Sequence, residues 1–466
     1  MRDRHRPAAR LSAAFHRREL LRAGLAGISG LSLAELFRLR AEAAKSDSQR
    51  TAVILVWLPG GASHLETYDP KPAATSDYRG PYAAIDSSVS GIQLCELLPR
   101  QAALAHRFTL LRSMVHTGFC HQQGTQQLLT GHPVRELKQK PDEPDLFAIA
   151  NYLRRDPKRA LPNYVGVPPA NYLGAAYLGP AYEPFIVGGD LSAPEFRVPN
   201  IGLASAAQAG RLDERISLRK RFDRLRREID QRGEMNALDA FESQAWQMLT
   251  GSEARAAFDL SREDQATRER YGMNSWGQQC LMARRLVEAG VDLVTTQLGG
   301  PLCGRVNNWD DHAVNHHVFE AMRFRAPAFD QAVAALIEDL HQRGLTERVL
   351  LIVSGEFGRT PKISYAASTG AGAASGAAGV VQPGRDHWPG ATSILFSGGS
   401  VSPGQVIGAT DARGEQVIDR RVSVGDFLAT VYRHLGIDAQ RVAINNFAGR
   451  PVPILQEGRP IAELSG

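Results

Sequence analysis

The sequence predicts an α/β protein whose mostly parallel sheet is sandwiched between helices, with a helical insertion. Three observations lead there. Short apolar runs rich in β-branched residues recur along the chain, amphipathic segments separate them, and the connections are short. A strand covered on both faces reads as a continuous apolar run rather than an alternating one. Thr51–Leu58 (TAVILVWL) is such a run, and it ends in a sharp Pro59-Gly60-Gly61 turn.

The remaining elements follow in order. Phe108–Arg112 reads as a second strand, after a helical segment around Leu97–His106. The amphipathic helix Gln278–Ala289 leads into the strand Val291–Gln297, and the helix Ala328–Arg343, stopped at Gly344, leads into Arg348–Ser354. Thr392–Phe396 is a further strand and Val424–His434 a closing helix. An insertion over about residues 163–272 interrupts the alternation. Its first part, Asn163–Asn200, is rich in Pro, Gly, Tyr and Ala and reads as irregular. Residues 211–272 read as a charged helical subdomain or cap, with a solvated face because both charge signs are interspersed. Ser368–Val380 (STGAGAASGAAGV) is a Gly/Ala loop, flexible by composition, either a lid or a tolerated insertion.

Charge separates the N-terminus from the body. Residues 1–45 hold ten Lys/Arg against four Asp/Glu, a net of +6; the whole chain is +5, so residues 46–466 come to −1. That near-neutral body argues against nucleic-acid binding. Arg17-Arg18 precedes a weakly apolar run, Ala23–Ala34, and a small-residue Ala41-Glu42-Ala43. Twelve residues fall short of the roughly 20 that span a bilayer. The order of basic, apolar and small residues is that of a twin-arginine export signal, so residues 1–45 are expected to engage the twin-arginine translocation machinery. The expected location is the periplasm or cell envelope, with residues 46–466 as one domain without a transmembrane span. Cys95, Cys120, Cys280 and Cys303 show no metal-finger spacing and read as free thiols.

Polar residues cluster after the strands, where open α/β sheets bind ligands. The groups are Gly60–Pro72 (GGASHLETYDPKP), His116 with Cys120, His121 and Thr125, then Trp309–His317 (WDDHAVNHH), Ser354–Lys362 (SGEFGRTPK) and Gly384–Pro389 (GRDHWP). Singly each has a structural explanation: turns at Asp69-Pro70, helix capping by Asp310 or Asp311, a Glu356–Arg359 pair. Together, imidazoles and carboxylates at several strand ends could converge on a divalent metal. Arg359, Lys362 and Arg385 could clamp a tetrahedral anion.

His121–Gly131 (HQQGTQQLLTG) resembles the nucleophile-bearing segment of sulfatases, C-x-P-S-R-x-x-L-L-T-G, with His121 at the place of the catalytic Cys or Ser. With GQQCLMARRLVEAGVD, NNWDDH, GEFGRTPKI and GRDHWPG, the chain resembles exported bacterial proteins catalogued as domain of unknown function fifteen-oh-one. Those are grouped with the alkaline phosphatase and sulfatase superfamily, and the twin-arginine start belongs to the same pattern. The resemblance implies that superfamily's fold, two metal subsites and a nucleophile at a helix start. Gly60 or Gly61 stands where an Asp follows the first strand, and Glu356-Phe357 where an Asp-His pair is usual. His387 keeps the last His, and Asp310 with His312 or His316 stands for the other subsite. The ligand set so implied is Asp310, His312, Glu356 and His387. His121 or His64 would be base or nucleophile, with Ser63 and Thr125 as hydroxyl alternatives. Two readings follow: metal-assisted hydrolysis of sulfate or phosphate esters, on a small-molecule or polysaccharide substrate, or a non-catalytic binding or assembly protein on the same fold.

Overall fold

A computed structural model describes residues 50–156, 159–198, 252–300, 302, 307–372 and 374–464. The proposed export signal and the charged stretch 211–251 lie outside the described residues. The central sheet has eight strands, in chain order β1 (Ala52–Trp57), β2 (Thr109–Met114), β3 (Tyr164–Gly166), β4 (Phe185–Ile186), β5 (Leu293–Gln297), β6 (Val349–Ser354), β7 (Thr392–Gly398) and β8 (Gln405–Ile407). Their spatial order is β8-β2-β7-β6-β1-β5-β3-β4.

Every pair in the sheet is parallel except those of β7, which runs antiparallel to β2 and β6. The connection explains the exception. Parallel neighbours need a crossover, usually a helix, whereas an antiparallel strand does not. Residues 355–391 carry no helix between β6 and β7. β7 therefore begins at the edge where β1, β5 and β6 end, and the loop before it delivers its side chains there.

Helices cover both faces. The principal ones are α1 (His121–Thr130), α2 (Leu146–Arg154), α3 (Ser275–Glu288), α4 (Val318–Gln342) and α5 (Val424–His434). Ile54 and Val56 of β1 pack in one apolar core with Trp276, Leu281 and Phe329 of α3 and α4. Val53, Leu55 and Trp57 pack in a second with Leu128, Phe147 and Phe427 of α1, α2 and α5. Period-two alternation thus feeds two cores at once, which is why β1 is apolar throughout. The mixed, mostly parallel sheet between helices is the layer order expected of an alkaline phosphatase/sulfatase-like fold.

Three features differ from the sequence reading. The Asn163–Asn200 stretch, expected to be irregular, supplies the short parallel strands β3 and β4, of which β4 is the edge of the sheet. Their two or three residues are too few for periodicity to mark. Residues 252–272, expected as part of a solvated cap, hold the short helices Ser252–Phe258 and Gln265–Tyr271. Tyr271 is fully buried and its hydroxyl donates to Asp339 at 3.0 Å. The Ser368–Val380 loop is pinned to the 313–317 segment by Thr369 N to Val314 O (3.0 Å) and His317 N to Ala374 O (3.0 Å). Cys95, Cys120 and Cys280 are free thiols. Among the described residues no helix is long and apolar enough to cross a membrane.

Candidate metal centre

Four chain segments meet at the C-terminal edge of β1, β5 and β6. The turn after β1 comes first. Gly60 has φ +105°, and a Cβ there would lie 2.5 Å from Asp310 N, so the 309–311 backbone occupies the space a side chain would need. The close approach leaves room for a glycine alone at this position. Gly60 N donates instead to Glu356 Oε1 at 2.7 Å.

Phe357, which follows Glu356, fills space beneath the site. A Cβ on Gly61 or Gly124 would come within 2.6 or 2.8 Å of its ring. The ring lies 4.4 Å from that of His387 and 5.6 Å from that of His121. It forms an apolar floor beneath both imidazoles. A short antiparallel ribbon, Gly358–Arg359 with His387–Trp388, then sets His387 directly opposite Arg359.

Asp310 is the hub. Its Oδ1 lies 3.0 Å from His312 Nε2, 3.2 Å from His387 Nε2 and 2.6 Å from Arg359 Nη2, and its Oδ2 lies 3.3 Å from His121 Nε2. Burial alone would raise its pKa, but its contacts with the three imidazoles and the Arg359 charge hold the carboxyl far below the usual range. His121 Nδ1 is 2.7 Å from Glu356 Oε1. Burial would lower the His121 pKa, yet hydrogen bonds to Asp310 and Glu356 prevail and push it up to about 9.

The tautomers follow from the outer contacts. His387 Nδ1 donates to Phe119 O at 2.7 Å, which leaves a lone pair on Nε2, and burial keeps this ring's pKa low. His312 Nδ1 is 2.7 Å from Asp386 Oδ1, the carboxylate–imidazole pairing that orients metal-ligating histidines. The two Nε2 atoms then face one another at 3.0 Å. Only a shared proton or a cation satisfies such a pair. The donor atoms of His121, Asp310 and His387 all lie within 4.8 Å of one another, so these three could hold a metal ion. Glu356 adds a second test of fit: its Oε2 is buried without a hydrogen-bond partner beside this group. The residues present fit a divalent cation.

The structure brings some expected residues together and sends others elsewhere. Asp310, His312, His387, Glu356 and His121 converge, with His121 inside the metal-capable group rather than apart from it. Thr125 lines the adjoining cavity of about 220 Å³. His64 does not reach it: fully buried, its Nε2 donates to Gly414 O at 2.9 Å. Ser63 is likewise buried, its hydroxyl unpartnered. The expected anion clamp is corrected. Arg385 is fully buried and its guanidinium binds Glu66 Oε1 (2.7 Å), Tyr78 O (2.6 Å), Thr360 O (3.0 Å) and Pro361 O. Arg359 binds Gly61 O (2.9 Å), Arg385 O (3.0 Å), Gly60 O and Asp310. Lys362 is exposed, beyond that buried ribbon. Both arginines therefore tie the strand-end loops together, because buried carbonyls must be paired.

Sequence reasoning missed the rest of the wall: Trp57, Asn171, Tyr172, Gln297 and the Asn307-Asn308 pair. Two clues were legible, since Gln297 ends a strand and Asn307-Asn308 opens the NNWDDH group. Asn171 and Tyr172 follow β3, which periodicity did not reveal.

No curated protein matches the sequence. Solved structures similar to the chain include PsFucS1 sulfatase from Pseudoalteromonas sp., at 12% identity over 88% of this chain and 71% of that one, with a TM-score of 0.36. The phosphonate monoester hydrolase of Agrobacterium radiobacter is similar at 13% identity, over 89% and 77%, with a TM-score of 0.35. That of Silicibacter pomeroyi is similar at 13% identity, over 89% and 76%, with a TM-score of 0.34. Residues 50–465 match the family described as "Protein of unknown function (DUF1501)", and the chain belongs to that family.

Proposed function

We propose that this protein is an exported, metal-assisted hydrolase of sulfate or phosphate esters. The observation that carries the reading is the convergence of three imidazoles and a guanidinium on the one carboxylate of Asp310, at the edge where parallel sheets bind ligands. His121, Asp310 and His387 would hold the ion, with His312 adjoining. A nitrogen-rich set with one carboxylate suits a transition metal such as zinc better than magnesium or calcium. When bound, such an ion acts as a Lewis acid on the ester oxygens and supplies a water-derived nucleophile at neutral pH.

The chain's own residues prepare the site. Phe119 O and Asp386 fix the two rings so that each Nε2 faces Asp310. Arg359 holds the Asp310 carboxylate in place through its other bonds to Gly60, Gly61 and Arg385. Gly60 N and His121 fix Glu356 by Oε1, and its free Oε2 is a proton acceptor for the attacking group. Thr125 offers a hydroxyl in the cavity wall.

The test is elemental analysis of purified protein beside a His121→Ala/His387→Ala variant, followed by assays on aryl sulfates and phosphate mono- and diesters. A stoichiometric metal lost in the variant, with ester turnover in the parent, supports the reading. No metal even after reconstitution would leave the non-catalytic binding protein. Export is tested separately, by deleting residues 1–45: the shortened chain should stay in the cytoplasm and remain folded.

A further inference from the structure

The walls of the cavity speak to what lies beyond the ester group. Away from Asp310 and Glu356, the cavity is lined by Asn171, Gln297, Asn307, Asn308 and Tyr172. Gln297 Oε1 accepts from Asn171 N and Asn308 Oδ1 from Asp310 N, both at 3.1 Å, so these two offer mainly their amide N–H groups. None of the described lining residues is Lys or Arg. A carboxamide presents an acceptor oxygen and two N–H donors. It therefore matches a hydroxyl, which both donates and accepts, and gives no particular advantage to an anion. Two acidic side chains in the same cavity also repel a second negative charge.

Tyr172 stands at a junction. Asn171 and Tyr172 also line a neighbouring cavity of about 230 Å³, lined further by Lys140, Asp145, Glu183, Leu173 and Ile186, with Lys140 paired to Glu183 at 3.5 Å. Each space falls below the roughly 300–1,000 Å³ that holds a drug-sized ligand, so a ligand of that size in either one would extend past Tyr172 toward the other. Tyr172 also has φ +65°, a conformation that bulky residues rarely adopt. Strain of this kind persists where the surrounding structure holds it and gathers at ligand-binding positions. An aromatic face between two polar hollows suits a ring with hydroxyls on its rim and C–H bonds on its faces.

We infer that the alcohol part of the substrate is a neutral glycosyl unit, with one sugar ring among the four carboxamides and the next past Tyr172. The inference rests on the hydrolase reading only for which end of the ligand meets Asp310. The experiment is a glycan array of neutral and sulfated oligosaccharides probed with the full chain, and calorimetry of the bound members. Binding should strengthen from one sugar unit to two. It should weaken at least tenfold in Tyr172→Ala and in Asn307→Ala, with melting curves unchanged. Asn307 is exposed, so its loss tests recognition without disturbing the core. No glycan bound, or binding that both variants leave intact, overturns the inference. Glycan binding without ester turnover keeps it and removes the hydrolase reading; turnover of simple aryl esters without glycan binding does the reverse.

Discussion

Asp310 and Asp311 are neighbours in sequence and opposites in role. Asp311 is buried, and both its oxygens lie 2.5 Å from Arg325 Nη2, with His316 Nδ1 at 3.5 Å. Arg325 is itself fully buried, stacked 4.9 Å over Trp309. That knot is closed, one anion against one permanent cation. Asp310 is one-fifth exposed and faces a cavity, with three imidazoles that change charge or take a metal. The contrast teaches how to separate a structural carboxylate from a functional one. The first is matched to a permanent cation and has no room; the second has several exchangeable partners beside open space.

The largest expected effect falls on the open side. Asp310→Ala should abolish stoichiometric metal and lower ester turnover by about a thousandfold or more, since metal catalysis supplies several kcal/mol and each 1.36 kcal/mol is tenfold. Elemental analysis and initial rates check it. A variant that keeps both would erase the distinction between the two aspartates.

Next comes the closed side. Asp311→Ala leaves Arg325 buried without its anion, which typically costs about 3–5 kcal/mol. Denaturant unfolding should show that loss, while the folded fraction keeps its metal. Destabilisation of the same size in Asp310→Ala would make both clusters structural.

A smaller effect is expected from Asp386→Asn. Asp386 is half exposed and reaches the group only through His312. Replacing such an outer partner weakens metal affinity by about 10–100-fold. Competition against a chelator measures it, and the thermal midpoint of the metal-free protein should not move.

The smallest effect is one of pH, with opposite signs in the two regions. Burial raises the Asp311 pKa, but Arg325 and His316 outweigh it and leave it depressed. Its contribution is present above the unfolded value of about 3.9 and is lost as pH falls through the folded value. His121 in metal-free protein has its pKa raised to about 9. Its contribution is complete below the unfolded value of about 6.5 and is lost as pH rises through 9. Chelator-treated protein should therefore lose a few degrees of melting temperature between those alkaline limits, and His121→Gln should not. An alkaline loss that persists in His121→Gln would assign it elsewhere.

Much of the fold was legible because burial on both faces leaves a mark on each strand. β1, β2, β5, β6 and β7 and the helices α3 and α5 lie where the apolar runs and helical periods put them; of α4 the reading Ala328–Arg343 caught only the second part, because the helix Val318–Gln342 runs through Pro327. β3, β4 and β8 were not legible, since two or three residues carry no period. The site was half legible. Imidazoles and carboxylates after strands announced themselves by chemistry and position, as Asp310, His312, Glu356 and His387 did. Arg359 and Arg385 announced themselves in the same way and proved to be ties between loops. A guanidinium that binds carbonyls and one that waits for an anion have the same letter.

The sequence by itself determined the layered α/β architecture, the charge division at residue 45 and the strand-end segments that carry polar chemistry. Those depend on local composition and on which residues can be covered. Only the tertiary structure decided that His121 faces Asp310, that Asp311 is closed by Arg325, and that four carboxamides share one cavity with Tyr172. The separations run from 14 positions, for Asp311 and Arg325, to well over a hundred, through packing that leaves no trace in any one segment. Two backbones meeting at Gly60, with no room between them for a Cβ, are the plainest instance.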